Sequence, residues 1–262
     1  MTSELFAICF RTARPEDLAR FWSGLLGREA VAGPGGDVTL APADGGGFRV
    51  RFLPGEAPKT GQNRAHFDLT SASPEDQRNI VARARELGAR SCDVGQLPEE
   101  GHVVLCDPDG NEFCVIEPGN AFLAGTGVIG ALACDGTREV GCFWSEALRW
   151  PLVWDQDQET AIQSPGGGTK LTWGGPPVAP KTGPNRVCFE LALPPGADRE
   201  KETDRLVSLG AVRAEGADRV GATGGEGGRT LMLDPDGNEF FLRGPGGGAG
   251  GDQPGISRGS RR

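Results

Sequence analysis

Apolar positions along the chain switch between strand spacing and helix spacing in an order that recurs. The continuous apolar run at 5–10 is typical of a buried strand. After Pro15, apolar residues recur at i, i+3, i+4, i+7 and i+8, which predicts one apolar face of a helix that ends at Gly27. Short apolar runs at 38–40 and 48–52 predict further strands. The apolar helix face consists of Leu18, Phe21, Trp22, Leu25 and Leu26.

The same layout begins again near residue 65. Apolar and polar residues alternate over 64–69, which is the period of a strand with one buried and one polar face. Ser73 has the character of a helix N-cap with acidic residues after it, and Gly88 fits the helix end. Two apolar runs on either side of Asp107–Gly110 then predict a hairpin, because Pro and Gly suit the turn.

The hairpin sequence identifies an internal duplication. Residues 107–113 recur letter for letter as residues 234–240. Phe21-Trp22-Ser23 returns as Phe143-Trp144-Ser145, and Lys59-Thr60-Gly61 returns as Lys181-Thr182-Gly183, both 122 positions later. We therefore predict two domains, 1–120 and 121–245, followed by a disordered Gly-rich tail, 246–262. A Gly-rich insertion near 221–228 is predicted to be a lid or a linker.

Composition narrows the function classes. The net charge of -9 argues against a nucleic-acid partner or an anionic membrane surface, since both need clustered Lys and Arg. No apolar run is long enough to span a bilayer, and the first residues lack the layout of a secretory signal, so we expect a cytoplasmic protein. The seven cysteines show no paired spacing, so neither a disulfide framework nor a zinc site is expected.

The order of these motifs resembles the vicinal oxygen chelate (VOC) superfamily, in particular its glyoxalase-like branch related to bleomycin-resistance proteins. The resemblance covers both repeats and rests on four features: the Phe-Trp helix, the strand at 63–69, Leu87-Gly88-Ala89 and the hairpin. It implies an α+β fold of tandem glyoxalase-like domains. Each domain would contain two paired βαβββ modules whose sheet curls into a ligand-holding cup.

The resemblance also allows a test for a metal site. Metal-dependent relatives place His or Gln on the first strand of a module and Glu on its last strand. His66 occupies the first of these positions, but Cys114 stands at the second, and the second repeat has Cys188 and Phe241 there. The strands at 5–10 and 128–133 offer no ligand. We therefore expect no metal cofactor, with a divalent metal near His66 and Glu117 as the alternative.

Several other residues are candidates for the site. His66 and Cys114 are a possible catalytic pair, although a packed structural cysteine is the simpler interpretation. Polar residues of the two equivalent strands either orient a ligand or pair with each other. Indole rings either stack on a planar ligand or seal a domain interface. The predicted ligand-binding residues are Arg64, Asp68, Arg186, Cys188, Glu190, Trp154 and Trp173.

Three function classes follow, of which the third is a degenerate, structural pair of domains. The first is a metal-independent binding protein that sequesters a small aromatic or amphipathic natural product, with antibiotic resistance as one use. The second is a glyoxalase-like lyase or isomerase, working through a metal or through His66 alone. Because two cup-forming domains in one chain can pair with each other, we expect a monomer.

Overall fold

Four copies of one βαβββ module make up the protein. A computed structural model describes residues 2–42, 47–55, 58–97, 99–214 and 228–244. The predicted tail and most of the predicted Gly-rich insertion lie outside these residues. Every helix within the described ranges is too short or too polar to cross a membrane.

The helices and strands follow the same order in each module. Module 1 contains β1 (Glu4–Thr12), α1 (Pro15–Leu26), β2 (Ala30–Ala32), β3 (Val38–Leu40) and β4 (Arg49–Pro54). Module 2 contains β5 (Ala65–Leu69), α2 (Pro74–Glu86), β6 (Arg90–Ser91), β7 (Val103–Cys106) and β8 (Glu112–Val115). Module 3 contains β9 (Ile129–Cys134), α3 (Arg138–Leu148), β10 (Leu152–Gln156), β11 (Glu159–Gln163) and β12 (Lys170–Trp173). Module 4 contains β13 (Val187–Ala192), α4 (Arg199–Ser208), β14 (Val212–Arg213), β15 (Arg229–Leu233) and β16 (Glu239–Arg243).

Local sequence explains where the helices start and stop. Helix α1 begins at Pro15 and ends at Gly27, whose positive φ of 65° is the left-handed conformation that glycine tolerates best. The Ser73 side chain caps α2 by accepting a hydrogen bond from the Asp76 amide. Both predicted helix starts are therefore confirmed.

The strands form two eight-stranded sheets. Sheet 1 has the order β14-β15-β16-β13-β1-β4-β3-β2, and sheet 2 has the order β10-β11-β12-β9-β5-β8-β7-β6. Within each module the first strand runs parallel to the last, and the remaining pairs are antiparallel. Modules join through their first strands, β1 against β13 and β5 against β9, both antiparallel.

The predicted α+β fold class is confirmed, but each sheet takes one module from each repeat. Module 1 pairs with module 4, and module 2 pairs with module 3. The expectation that both modules of a repeat share one cup is wrong in this respect. Either arrangement covers the exposed edge of every first strand, so the strand pattern alone does not distinguish them.

The main core lies on the helix-facing sides of the sheets. It joins modules of the same repeat: Phe10 and Trp22 of module 1 contact Phe67 of module 2, with ring centroids 5.6 and 5.5 Å apart. The equivalent aromatic cluster in the second repeat includes Trp144 and Phe240, whose centroids are 5.1 Å apart. Each repeat therefore shares a core while its strands contribute to both sheets.

The repeated hairpin is tied into this core by a buried carboxylate. Asp107 is fully buried and accepts hydrogen bonds from Trp22 Nε1 at 3.1 Å, the Asn111 amide at 2.9 Å and the Asp109 amide at 3.0 Å. Burial raises the pKa of Asp107, and this effect is larger than the lowering of the pKa by the hydrogen-bond donors. In the second repeat, Asp234 accepts from Trp144 Nε1 at 3.2 Å.

One covalent feature differs from the sequence-based expectation. Cys92 and Cys106 form a disulfide beside the β6–β7 pair, where no disulfide was expected. The 14-residue separation resembles no short paired-cysteine motif, and strand pairing alone brings the two residues together. The described free cysteines are Cys9, Cys114, Cys134, Cys142 and Cys188.

The buried carboxylates give a stability prediction. Asp107→Asn replaces an acceptor oxygen with an N–H group that faces donors only, so we expect a loss of about 1–3 kcal/mol in the free energy of unfolding. Asp234→Asn should cost a similar amount. Urea denaturation measures both, with the exposed Asp157→Asn as control, for which a change within about 0.5 kcal/mol is expected. Equal stability of all three variants would contradict the anchoring role.

Candidate functional site

A cavity of about 500 Å³ opens over the concave face of sheet 2. Its walls include the two Lys-Thr-Gly loops, one from each repeat, whose Thr60 and Thr182 hydroxyl oxygens lie 3.4 Å apart. Lys59 binds Glu112 and Lys181 binds Glu239, each at 2.6 Å, so both loops are held to the strand that follows a hairpin. The site-forming part of the lining is Arg64, His66, Ala133, Thr172 and Arg186.

His66 is the centre of a polar cluster on this face. Residues 66 and 68 project from the same side of β5, and Cys114 of β8 is in register with Asp68. His66 Nε2 lies 3.4 Å from Asp68 Oδ1, and one ligand-type atom of each of the three side chains lies within 4.8 Å of the other two. The structure thus brings the predicted pair His66 and Cys114 together and adds Asp68.

The cluster changes the protonation of His66. Burial alone lowers the pKa of this imidazole, but hydrogen bonds with Asp68 and Cys114 outweigh it and raise the pKa to about 10. His66 is therefore a cation at neutral pH, paired with the Asp68 carboxylate. A cationic imidazole donates hydrogen bonds from both nitrogens and binds no metal ion until it loses a proton.

The residues facing the cluster decide how well a metal would fit. Across the sheet, β9 presents Ala131 and Ala133, and β12 presents Lys170 and Thr172. The ligand set with donors on two modules is thus lacking among the described residues. His66, Asp68 and Cys114 alone supply one nitrogen, one oxygen and one sulfur, a set that suits Zn²⁺ with an open position better than a hard cation.

Arg64 and Arg186 contact the opposite repeat instead of the acids two residues further along their strands. Arg64 donates to the Ala179 carbonyl at 2.6 Å and lies 3.9 Å from Asp135 Oδ2. Arg186 binds Asp109 of the hairpin, with a 3.0 Å contact to Oδ2. The predicted alternative of Arg64–Asp68 and Arg186–Glu190 pairs is therefore wrong, because both arginines extend past the strand ends to neighbouring loops.

Cys188 and Glu190 lie in the other sheet, away from this cavity. Glu190 is 0% exposed, and its two oxygens lie 2.6 Å from Arg51 Nη1 and 3.0 Å from Arg229 Nε. Cys188 packs beside Cys9 in a small apolar cluster on the concave face of sheet 1. Glu190 is thus paired with arginines of sheet 1 and lies apart from His66, although its Oε1 accepts no hydrogen bond.

The two predicted tryptophans have different locations. Trp173 is 2% exposed and packs in the core beneath α3, so its prediction as a ligand-stacking residue is wrong. Trp154 is 39% exposed on β10, contacts Phe122 edge to face, and is not part of the cavity lining. Alternation explains this outcome, since position 173 projects to the helix side of β12.

Glu117 is also separate from His66. Its Oε1 accepts a hydrogen bond from Asn120 at 3.4 Å, and it lines a different cavity, of about 400 Å³, near residues 119–127. The structure therefore does not bring Glu117 together with His66. Asp68 and Cys114, both adjacent to His66, take the place assigned to Glu117.

Comparison with known proteins establishes the family. The model of the glyoxalase-like domain matches residues 7–116 and again residues 130–243. The chain belongs to the glyoxalase-like family. No curated protein sequence matches the chain.

Solved structures of the glyoxalase-like fold agree with this assignment. Glyoxalase I from Zea mays is 13% identical, with a TM-score of 0.60, and the match covers 93% of this chain and 92% of that one. A putative dioxygenase from Bacillus subtilis is also 13% identical with a TM-score of 0.60, covering 94% of this chain and 86% of that one. At this identity the likeness concerns the fold only.

A group of four arginines lies on sheet 1, outside the predicted site. It consists of Arg49, Arg51, Arg229 and Arg243, none of which was predicted as a site residue. All four project from the concave face of sheet 1, on strands β4, β15 and β16. The alternation of charged and apolar residues shows that the arginines of each strand share one face. Only the pairing of modules 1 and 4 brings the arginines of β4, β15 and β16 together.

The raised pKa of His66 can be measured directly. In a metal-free His102→Gln variant, the single remaining imidazole should titrate by NMR near pH 10, and Asp68→Asn should move the midpoint toward 6.5. Because the folded pKa is raised, the stability from this pair is fully present below about pH 6.5 and is lost as the pH rises through 10. A midpoint near 6.5 with Asp68 intact would contradict the pairing.

Proposed function

We propose that this glyoxalase-like chain is a binding protein that holds a small aromatic or amphipathic organic molecule without a metal ion. The ligand site is the cavity over sheet 2. One observation carries the proposal: Arg64, His66 and Arg186, which come from both repeats, line a single cavity of about 500 Å³. That volume lies within the range of about 300–1,000 Å³ that is usual for small-molecule sites.

The lining suits a ligand with one apolar part and one polar or anionic group. Ala133 and Thr172 are small, which leaves room above the sheet for a ring or a branched chain. His66 is a cation that can donate a hydrogen bond to a ligand oxygen. The Nε atoms of Arg64 and Arg186 are buried without a hydrogen-bond acceptor, although other atoms of both side chains are bound.

Metal independence is supported by the charge of His66. At neutral pH, metal binding would require His66 to release a proton and leave the Asp68 carboxylate, which raises the cost of loading an ion. Sequestration of a natural product or antibiotic needs no bond-making step, and apolar contact with oriented donors is sufficient for it. Pairing of the repeats within one chain supports a monomer.

A second candidate function is a glyoxalase-like lyase or isomerase, favoured by the close grouping of His66, Asp68 and Cys114. Asp68 would orient the imidazole, and His66 would move a proton to and from the substrate. Cys114 is 8% exposed and does not line the cavity, so the proton-transfer role belongs to His66. If the three side chains held Zn²⁺, the ion would supply a Lewis acid at the same place.

Narrowing the cavity tests the binding function. Native mass spectrometry of the chain with a natural-product extract should show a retained organic compound on the wild type. Ala133→Leu adds volume to the lining, and we expect at least ~10-fold weaker binding of the same compound. Ala32→Leu, an exposed change on β2 of sheet 1, is the matched control. The proposal fails if the wild type retains no compound or if Ala133→Leu binds it equally well.

Elemental analysis separates the two functions. After incubation with zinc and desalting at pH 7, we expect substoichiometric zinc on the wild type, because His66 is protonated. About one zinc per chain, lost in Cys114→Ser and retained in His102→Ala, would overturn metal independence and favour the enzyme.

A further inference from the structure

The concave face of sheet 1 carries a concentration of positive charge. Strand alternation places four arginines beside the central strands β1 and β13 on this face, and a fifth, Arg11, at the end of β1. The described acids in contact with them are Asp37 and Glu190. The four cations therefore exceed these acids by two charges. The four arginines are Arg49, Arg51, Arg229 and Arg243.

Both acids form ion pairs with the most buried arginine, Arg51. Arg51 is 9% exposed in its side chain and binds Asp37 Oδ2 at 2.5 Å and Glu190 Oε2 at 2.6 Å. Arg229 reaches the other Glu190 oxygen through Nε. Burial disfavours the charge on Arg51, but Glu190 and the other nearby groups raise its pKa, so this guanidinium stays charged. Arg51 is therefore a buried cation whose charge is neutralised by carboxylates on this face.

The outer arginines are held without a carboxylate. The guanidinium carbons of Arg49 and Arg243 lie 4.3 and 4.2 Å from the centre of the Phe6 ring, so both stack on one side chain. Neither has an acidic partner among the described residues. Arg229 and Arg243 are directly opposite each other in the β15–β16 pair, where like charges destabilise a sheet.

The charge excess is visible at Arg243. Burial lowers the pKa of this guanidinium, Glu190 works in the opposite direction, and Arg51, Arg229 and Arg49 lower it further. Positive charges that repel one another across a concave face are stabilised by an anion placed among them. The stacked Phe6 ring fixes the two outer guanidinium groups in position before any ligand arrives.

We propose that the concave face of sheet 1 is a second ligand site, selective for a small organic dianion such as a phosphate monoester or a dicarboxylate. The anionic groups bind to Arg49, Arg243 and the outer nitrogens of Arg229. The apolar part of the ligand rests on Phe6, Phe241 and Leu231, which border the same face. This site is independent of the cavity over sheet 2 and of the function proposed for it.

Calorimetric titration of the full chain tests this site with phenyl phosphate and phthalate as probes and benzyl alcohol as the neutral control. We expect saturable binding of at least one dianion and none of the alcohol. The stronger of the two dianions identifies the preferred anionic group. Arg49→Gln and Arg243→Gln should each weaken binding by about 10-fold or more, since each removes a charge-assisted hydrogen bond. Arg20→Gln, an exposed arginine on α1, should leave binding unchanged.

Thermal unfolding without ligand provides a second readout. Arg243→Gln removes a repulsive charge, so its melting temperature should equal or exceed that of the wild type, whereas a purely structural arginine would lower it. Ala133→Leu should leave dianion binding intact, which separates failure of this site from failure of the cavity over sheet 2. The proposal is overturned if neither dianion saturates, if the two Arg→Gln variants bind as the wild type does, or if Ala133→Leu abolishes binding.

Discussion

The carboxylate of Asp107, buried beneath the first hairpin, is the contact on which the arrangement of the modules depends. It receives the indole N–H of Trp22 from the helix of module 1 and amide N–H groups from its own turn. Asp234 and Trp144 repeat the contact in modules 3 and 4. A buried carboxylate without these donors would be costly, so helix and hairpin can pack only in this relation. Both repeats keep this Trp–Asp contact although the two residues are 85 positions apart in the first repeat and 90 in the second.

Much of the fold was predictable because its determinants are local. Helix starts at Pro15 and Ser73, the two hairpins and the strand alternation at 64–69 depend on residues a few positions apart. The repeated motifs also contact each other: Lys59 and Asn63 both bind Glu112, and Lys181 and Asn185 both bind Glu239. The motifs keep the same order in both repeats because they contact one another in the folded module. A resemblance based on the whole set is therefore specific.

The candidate site was predictable only in part, for reasons of sequence distance. His66, Asp68 and Cys114 come together within one module, where the parallel pairing of β5 and β8 decides the contact. Arg186 instead reaches Asp109, and Glu190 reaches Arg51, through contacts between different modules. Alternation predicts which face of a strand a side chain occupies, but it does not predict which distant strand lies beside it. The arginine face of sheet 1 was missed for this reason.

The pairing of modules across the repeats also restricts how the protein can evolve. Each concave face contains strands from both copies of the duplicated sequence, so neither copy owns a complete binding surface. A substitution in one copy therefore changes only half of a face, because the other half of that face comes from the other copy. The two faces nevertheless differ sharply, one bearing a His-Asp-Cys cluster and the other four arginines. The His-Asp-Cys cluster lies within module 2 alone, whereas the arginines come from modules 1 and 4, so the second face depends on residues of both copies.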